Sequence, residues 1–235
     1  MEVSMRALAV FPAGLLLLVY GCQADPQTQA HQSRQARPTP APEQPRKSHQ
    51  FDYYVLAMSW SPQHCATPQG ARDDMQCAPG RQYDFVLHGL WPQNEKGWPE
   101  DCSTEPVSRN VVDSMLDIMP SPKLVRHEWS KHGTCSGSEP KEYFDNARSA
   151  FRSIQVPEQY KRPKLQVVSN PAEMRRRFAA ANPKFKEDSF AVTCSGRFLR
   201  EVRVCLTTDF NPRACSKEVL RSQCKVDEMI LRPVR

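Results

Sequence analysis

The chain has 235 residues, nine of them cysteine, and a formal net charge of +6. Residues 22–50 hold four basic and two acidic side chains, so the remainder carries only about +4, which favours a polyanionic partner over a cationic one and excludes little else. No two cysteines stand in a Cys-x-x-Cys spacing, which argues against a cysteine zinc site.

Residues 7–21 (ALAVFPAGLLLLVYG) are apolar over a length too short for a bilayer span and suited to a signal-peptide core. Residues 1–21 are therefore expected to act as a signal peptide. Val19-Tyr20-Gly21-Cys22 resembles a bacterial lipoprotein box, in which Cys22 would be acylated; Tyr20 fits that box poorly, and ordinary cleavage nearby, for example after Ala24, is the alternative. Either route exports the chain, as a periplasmic or outer-membrane-anchored lipoprotein or as a secreted protein. Such an anchor would be the chain's one link to a membrane. Residues 22–50 are rich in Pro and Gln and poor in large apolar side chains, the composition of a disordered tether, with His31 and His49 as solvated bystanders.

From about Phe51 the pattern changes to that of a folded domain, 51–235. Tyr53–Trp60 is a near-continuous apolar run, as in a strand buried on both faces. Tyr83–Leu87 predicts a second strand that runs directly into His88. Val111, Val112, Met115, Leu116 and Met119 recur at helical spacing, and Pro120 follows as a stop. Residues 124–132 predict a helix closed by Gly133 as a C-cap. Tyr143, Phe144, Ala147 and Phe151 mark another helix, and Ser169-Asn170-Pro171 opens a further one with Met174 and Phe178 facing inward. Strands are expected at Phe190–Cys194 and Phe198–Leu206. Strands first, helices between and strands last predict an α+β fold with a central, mostly antiparallel sheet. The eight cysteines besides Cys22 are an even set in an exported domain and imply a disulfide framework, whose connectivity the sequence leaves open among 105 choices.

Two segments concentrate the chemistry. In Phe85-Val86-Leu87-His88-Gly89-Leu90-Trp91-Pro92-Gln93, a histidine next to glycine at the end of a buried strand would be rigidly held with open approach; a core histidine satisfied by backbone groups is the alternative. In His127-Glu128-Trp129-Ser130-Lys131-His132-Gly133-Thr134-Cys135, helical spacing puts Lys131 at about 40°, Glu128 at about 100° and His132 at about 140° from His127, with Trp129 near 200° and turned to a core. Two imidazoles, an amine and a carboxylate on one arc suit a reaction site, against the alternative of a solvated charged face. The spacing differs from His-Glu-x-x-His, and the lysine between the imidazoles argues against a metal.

This set suits RNA cleavage with an internal nucleophile. The substrate's 2′-hydroxyl attacks, so the protein supplies a base, an acid for the leaving 5′-oxygen and positive charge at phosphorus, with no cofactor. Histidine titrates near neutrality, so one ring can be neutral while another is protonated.

His88-Gly89-Leu90-Trp91-Pro92 followed by His127-Glu128-Trp129-x-Lys131-His132-Gly133-Thr134-Cys135 resembles the paired active-site segments of the ribonuclease T2 family, with further likeness in Tyr54–Pro62 and Leu199–Val202. The resemblance implies a cyclising endoribonuclease acting on single-stranded RNA, with an inactive RNA-binding envelope protein of the same fold as the alternative; a monomer is the default expectation. His132 would be the general base and His88 the general acid, an assignment the sequence by itself leaves reversible. It also implies that His127 holds the phosphate, that Glu128 and Lys131 stabilise the phosphorane, and that Trp91 stacks on a base, with Trp98 as a weaker candidate. A core role is the alternative for Trp91. The implied disulfides are Cys65–Cys77, Cys102–Cys135, Cys194–Cys224 and Cys205–Cys215. His64 has no matching role, and Glu201 reads as a buried polar contact rather than a catalytic group.

Overall fold

Strand β1 (Tyr53–Trp60) is the axis of the molecule, buried on both faces as its apolar run requires. A computed structural model describes residues 50–235; the expected signal peptide, Cys22, the tether, His31 and His49 lie outside the described residues. β1 pairs antiparallel with β2 (Phe85–Gln93) on one edge and with β5 (Phe198–Leu206) on the other. β4 (Phe190–Ser195) runs antiparallel along the far edge of β5. Two short strands absent from the sequence reading, β3 (Val167–Ser169) and β6 (Met229–Leu231), complete a six-stranded sheet, with β6 joined to β5 by a single parallel pair. The sheet is mostly antiparallel and the fold is α+β.

Period-two alternation along β1 divides the interior. Tyr54, Leu56, Met58 and Trp60 face the large core, which takes in Trp129, Tyr143, Phe144, Met174 and Phe178. Those side chains come from α4 (Pro122–Lys131), α5 (Pro140–Ser153) and α6 (Pro171–Ala181), which follow the short helices α1 (Ser61–His64), α2 (Asp74–Cys77) and α3 (Arg109–Ser114). Tyr53 and Val55 face a smaller cluster with Ala191, Cys205 and Val219, the last from the five-residue helix Lys217–Arg221. Met174 and Phe178 are fully buried as expected. Asn170 caps α6 through the Glu173 N–H, with Pro171 in the first turn, where a missing N–H costs nothing.

Three expectations are corrected. The second strand starts at Phe85 and continues to Gln93, so His88 lies inside it rather than beyond its end. Ala57 faces Gly89 and Met58 faces Leu87, which leaves His88 as the extra residue of a β-bulge. The bulge switches parity: Leu87 and Leu90 both stay in the large core, while Trp91 turns to the smaller cluster. The helix expected through Met119 ends at Ser114; the chain then turns, and the Ile118 carbonyl accepts from the Leu87 N–H at 2.9 Å, which ties the turn to β2. Gly133 is not a left-handed cap. A Cβ there would strike the Trp129 and Tyr143 rings, so close packing is what requires glycine.

Four disulfides form with the pairing that the resemblance implies. Cys102–Cys135 ties the loop after β2 to the turn after α4. His64 accordingly has a local role, bonded to Asp73 at 3.1 Å.

Candidate active site

The bulge presents His88 between two buried carboxylates. Its Nδ1–H donates to Glu201 Oε1 at 2.7 Å, and its Nε2 lies 3.5 Å from Glu128 Oε1. The His88 side chain is still 32% exposed, so a ligand can reach it. Burial pulls its pKa down, but the Glu201 hydrogen bond and the charges of Glu128 and Glu201 outweigh that, and the net shift is upward. His88 therefore holds its proton to higher pH than a free imidazole does.

The arc expected on α4 is corrected. The helix stops at Lys131, and His132 follows with φ −121° and ψ −45°, off the helical path. Glu128 points inward and is 1% exposed, whereas His127 is exposed to solvent. The four groups thus do not share one face. Glu128 Oε2 accepts from the Trp91 indole N–H at 2.7 Å. Its carboxyl is pushed up to about 7 by burial, against the pull of His88 and the Trp91 bond. Gly89 makes room for this pair, because a Cβ at that position would collide with the Glu128 carboxylate and the Trp91 nitrogen. Lys131 is engaged too, 2.8 Å from Glu100 and 3.8 Å from Asp101.

His132 sits in the opposite setting to His88. It is 9% exposed, and its Nδ1 is buried without a hydrogen-bond partner among the described residues. Burial, followed by the positive charges of Lys131, His127 and His88, lowers its pKa to about 4. His132 is therefore neutral where His88 is charged. The Trp91 ring contacts both, with its centroid 5.3 Å from that of His88 and 5.4 Å from that of His132.

A cavity of about 720 Å³ opens here, lined among others by Trp91, Gln93, Trp98, Lys131, His132 and Arg203. That volume suits one nucleotide-sized ligand. Trp98 is 49% exposed and bonds Glu100 through its indole N–H at 3.0 Å. The Arg203 guanidinium lies 5.0 Å from the centre of the Trp91 ring. Among the described residues no group of three or more His, Cys, Asp or Glu side chains is arranged to hold a metal ion.

A model of the ribonuclease T2 family matches residues 51–215. The chain belongs to that family. It is 34% identical over 210 residues to a ribonuclease of Aeromonas hydrophila, covering 79% of this chain and 87% of the relative. Among solved structures it resembles an RNase-related protein from Calystegia sepium, with TM-score 0.62 and 18% identity over 79% of this chain and 98% of that one. RNase NT in complex with 5′-AMP is similar as well, with TM-score 0.58 and 18% identity over 78% and 99% of the two chains. As a member of the ribonuclease T2 family the protein is an endoribonuclease.

Arg203 was not foreseen at the site, nor was the partner of Glu201. Glu201 is indeed in a buried polar contact, but its partner is His88; Arg203 reaches the same carboxylate and the cavity wall. A signal was present: Arg200, Glu201 and Arg203 interrupt an otherwise apolar strand. A buried charge there requires partners, and the sequence does not say which.

Proposed function

We propose that the protein cuts single-stranded RNA by transesterification through a 2′,3′-cyclic phosphate, with His132 as general base and His88 as general acid. The neutral His132 takes the 2′-hydroxyl proton as the 2′-oxygen attacks phosphorus. Protonated His88 delivers its proton to the departing 5′-oxygen. The observation that carries this reading is the opposite electrostatic setting of the two rings, both of which contact Trp91. Each such group is worth about 10²–10⁴-fold in rate.

Lys131 supplies positive charge at the phosphate, which His127 helps to hold, and Arg203 adds to that charge from the cavity wall. Glu128, whose carboxyl stands 3.5 Å from His88 Nε2, stabilises the phosphorane together with Lys131. Trp91 and Trp98 offer the aromatic surfaces on which unpaired bases stack, while a duplex cannot splay its bases into one cavity. No step needs a metal or cofactor, and one chain holds every group named.

Export fits the same picture. The apolar opening is of signal length, and disulfides persist outside the cytosol. Cys22 acylation leaves the chain on a membrane surface; labelled-palmitate incorporation that is lost in Cys22→Ser distinguishes it from cleavage near Ala24.

Digestion of single-stranded RNA in excess EDTA, with product ends read by mass spectrometry, tests the reaction. Fragments ending in a 2′,3′-cyclic phosphate are expected. Cleavage that requires an added divalent metal, or that leaves 3′-hydroxyl ends, overturns the proposal.

A further inference from the structure

Glu201 is 3% exposed and lies on β5 where that strand is paired on both edges, opposite Ser59 of β1 and Thr193 of β4. Its backbone is therefore held by the most rigid part of the sheet. The two carboxylate oxygens have divided partners. Oε2 takes Arg203 Nε at 3.0 Å, the Thr193 hydroxyl at 3.5 Å and Arg200 Nη2 at 3.7 Å. Oε1 takes His88 Nδ1 alone, at 2.7 Å. A carboxylate present only to neutralise two arginines has no need of an imidazole. Here the arginines anchor one oxygen, and the other is aimed at the one side chain that the β-bulge pushes out of register.

We propose that Glu201 is a positioning residue for RNA cleavage: it accepts the Nδ1–H of His88, fixes the ring so that Nε2 faces the scissile phosphodiester, and keeps the imidazole in its acid form. This rests on the reading of His88 as the general acid. A carboxylate on the far nitrogen of an imidazole sets both its tautomer and its orientation. The titratable and charged groups facing His88 come from Glu201 and Arg203 on β5, from Glu128 on α4 and from His132 just beyond that helix. The burial of Glu201 would favour its neutral form, but His88, Arg203 and Arg200 hold it down to about 2, so it stays a carboxylate wherever the enzyme works. Arg203 also lies over Trp91, so the support of the acid and the wall of the cavity form one connected unit.

Glu201→Gln tests this in the full chain, since it keeps the shape and an acceptor oxygen but removes the charge. On RNA, kcat should fall about 10²-fold, the usual scale for losing the group that orients a reacting side chain. KM should change little, and the alkaline limb of the pH profile should move to lower pH. The 4-nitrophenyl ester of a nucleoside 3′-phosphate separates positioning from general damage, because nitrophenolate departs without a proton. On that substrate Glu201→Gln should lose less than about threefold, and adding it to His88→Ala should cost nothing further on RNA. His88→Ala distinguishes the two levels of the claim. If it cleaves RNA normally, the general-acid reading is wrong. If it is inactive on RNA while Glu201→Gln keeps a normal kcat and an unmoved limb, or loses both substrates equally, the role of Glu201 is overturned. Should Glu201→Gln not fold, the wild-type protein still answers: a slowly exchanging, downfield His88 Nδ1 proton is expected, and a tautomer with Nδ1 unprotonated contradicts the proposal.

Discussion

His88 gains two carboxylate neighbours from β5 and α4, while His132 gains burial and three positive neighbours. The same side chain is thereby set to opposite protonation states within one site. Activity requires His132 neutral and His88 protonated. It should therefore rise with pH through about 4 and fall once pH passes the raised value of His88, above 6.5. A profile of kcat/KM against pH checks this, and a flat profile through the histidine range contradicts it. His88→Ala and His132→Ala should each lose about 10²–10⁴-fold with the fold intact, as seen by circular dichroism beside single-turnover rates. At this scale the residue identities were legible from the two motifs. Their settings were not: Lys131 facing Glu100 and Asp101, and Glu128 beneath Trp91, depend on loops and strands brought together only by folding.

Among the elements, the bulge of β2 does most to place the site. Strands β1, β4 and β5 and helices α4 to α6 were readable because each repeats its period over several residues. A bulge is one residue counted between two strands 30 or so positions apart, and no local period records it. The end of α4 at Lys131 is similar: helical spacing carries on through His132 in the sequence, while the packing of Gly133 against Trp129 and Tyr143 turns the chain. Gly89→Ala tests how tightly the bulge packs on α4. The added methyl meets Glu128 and Trp91, neither of which can withdraw without breaking their bond. Thermal unfolding should show a loss of about 1–3 kcal/mol, typical of overpacking, and kcat should fall with it. An unchanged Tm and rate would mean that the Trp91–Glu128 contact yields freely.

For the whole molecule, the shifted groups also fix how stability depends on pH. His132 is lowered from 6.5 to about 4, so the unfolded chain takes up its proton first and stability is lost as pH falls through that window. Glu128 is raised from 4.5 to about 7, so the folded chain is protonated first and stability is gained as pH falls from 7. The two oppose each other. Glu201, lowered to about 2, adds a loss as pH falls below 4.5. His88, raised above 6.5, contributes stability that is lost as pH rises through its folded value. Tm should accordingly peak on the weakly acidic side and drop below about pH 4.5; a maximum at alkaline pH, by calorimetry, contradicts these shifts. The disulfide Cys102–Cys135 spans 33 residues of sequence and holds the Trp98 loop at the cavity. Replacing both cysteines with serine should cost about 2–5 kcal/mol and raise KM, read by urea unfolding and steady-state kinetics. Fold class was legible from the order of strands and helices and disulfide pairing from the family resemblance, whereas β3 and β6, three residues each, were too short to register as periodic.

Titration of the individual histidine rings by NMR in the folded, oxidised protein reads the two settings separately. His132 should show a midpoint near 4 and His88 one above 6.5. Both rings titrating together near the ordinary histidine value, or His132 holding its proton to higher pH than His88, would contradict the assignment of His132 as base and His88 as acid.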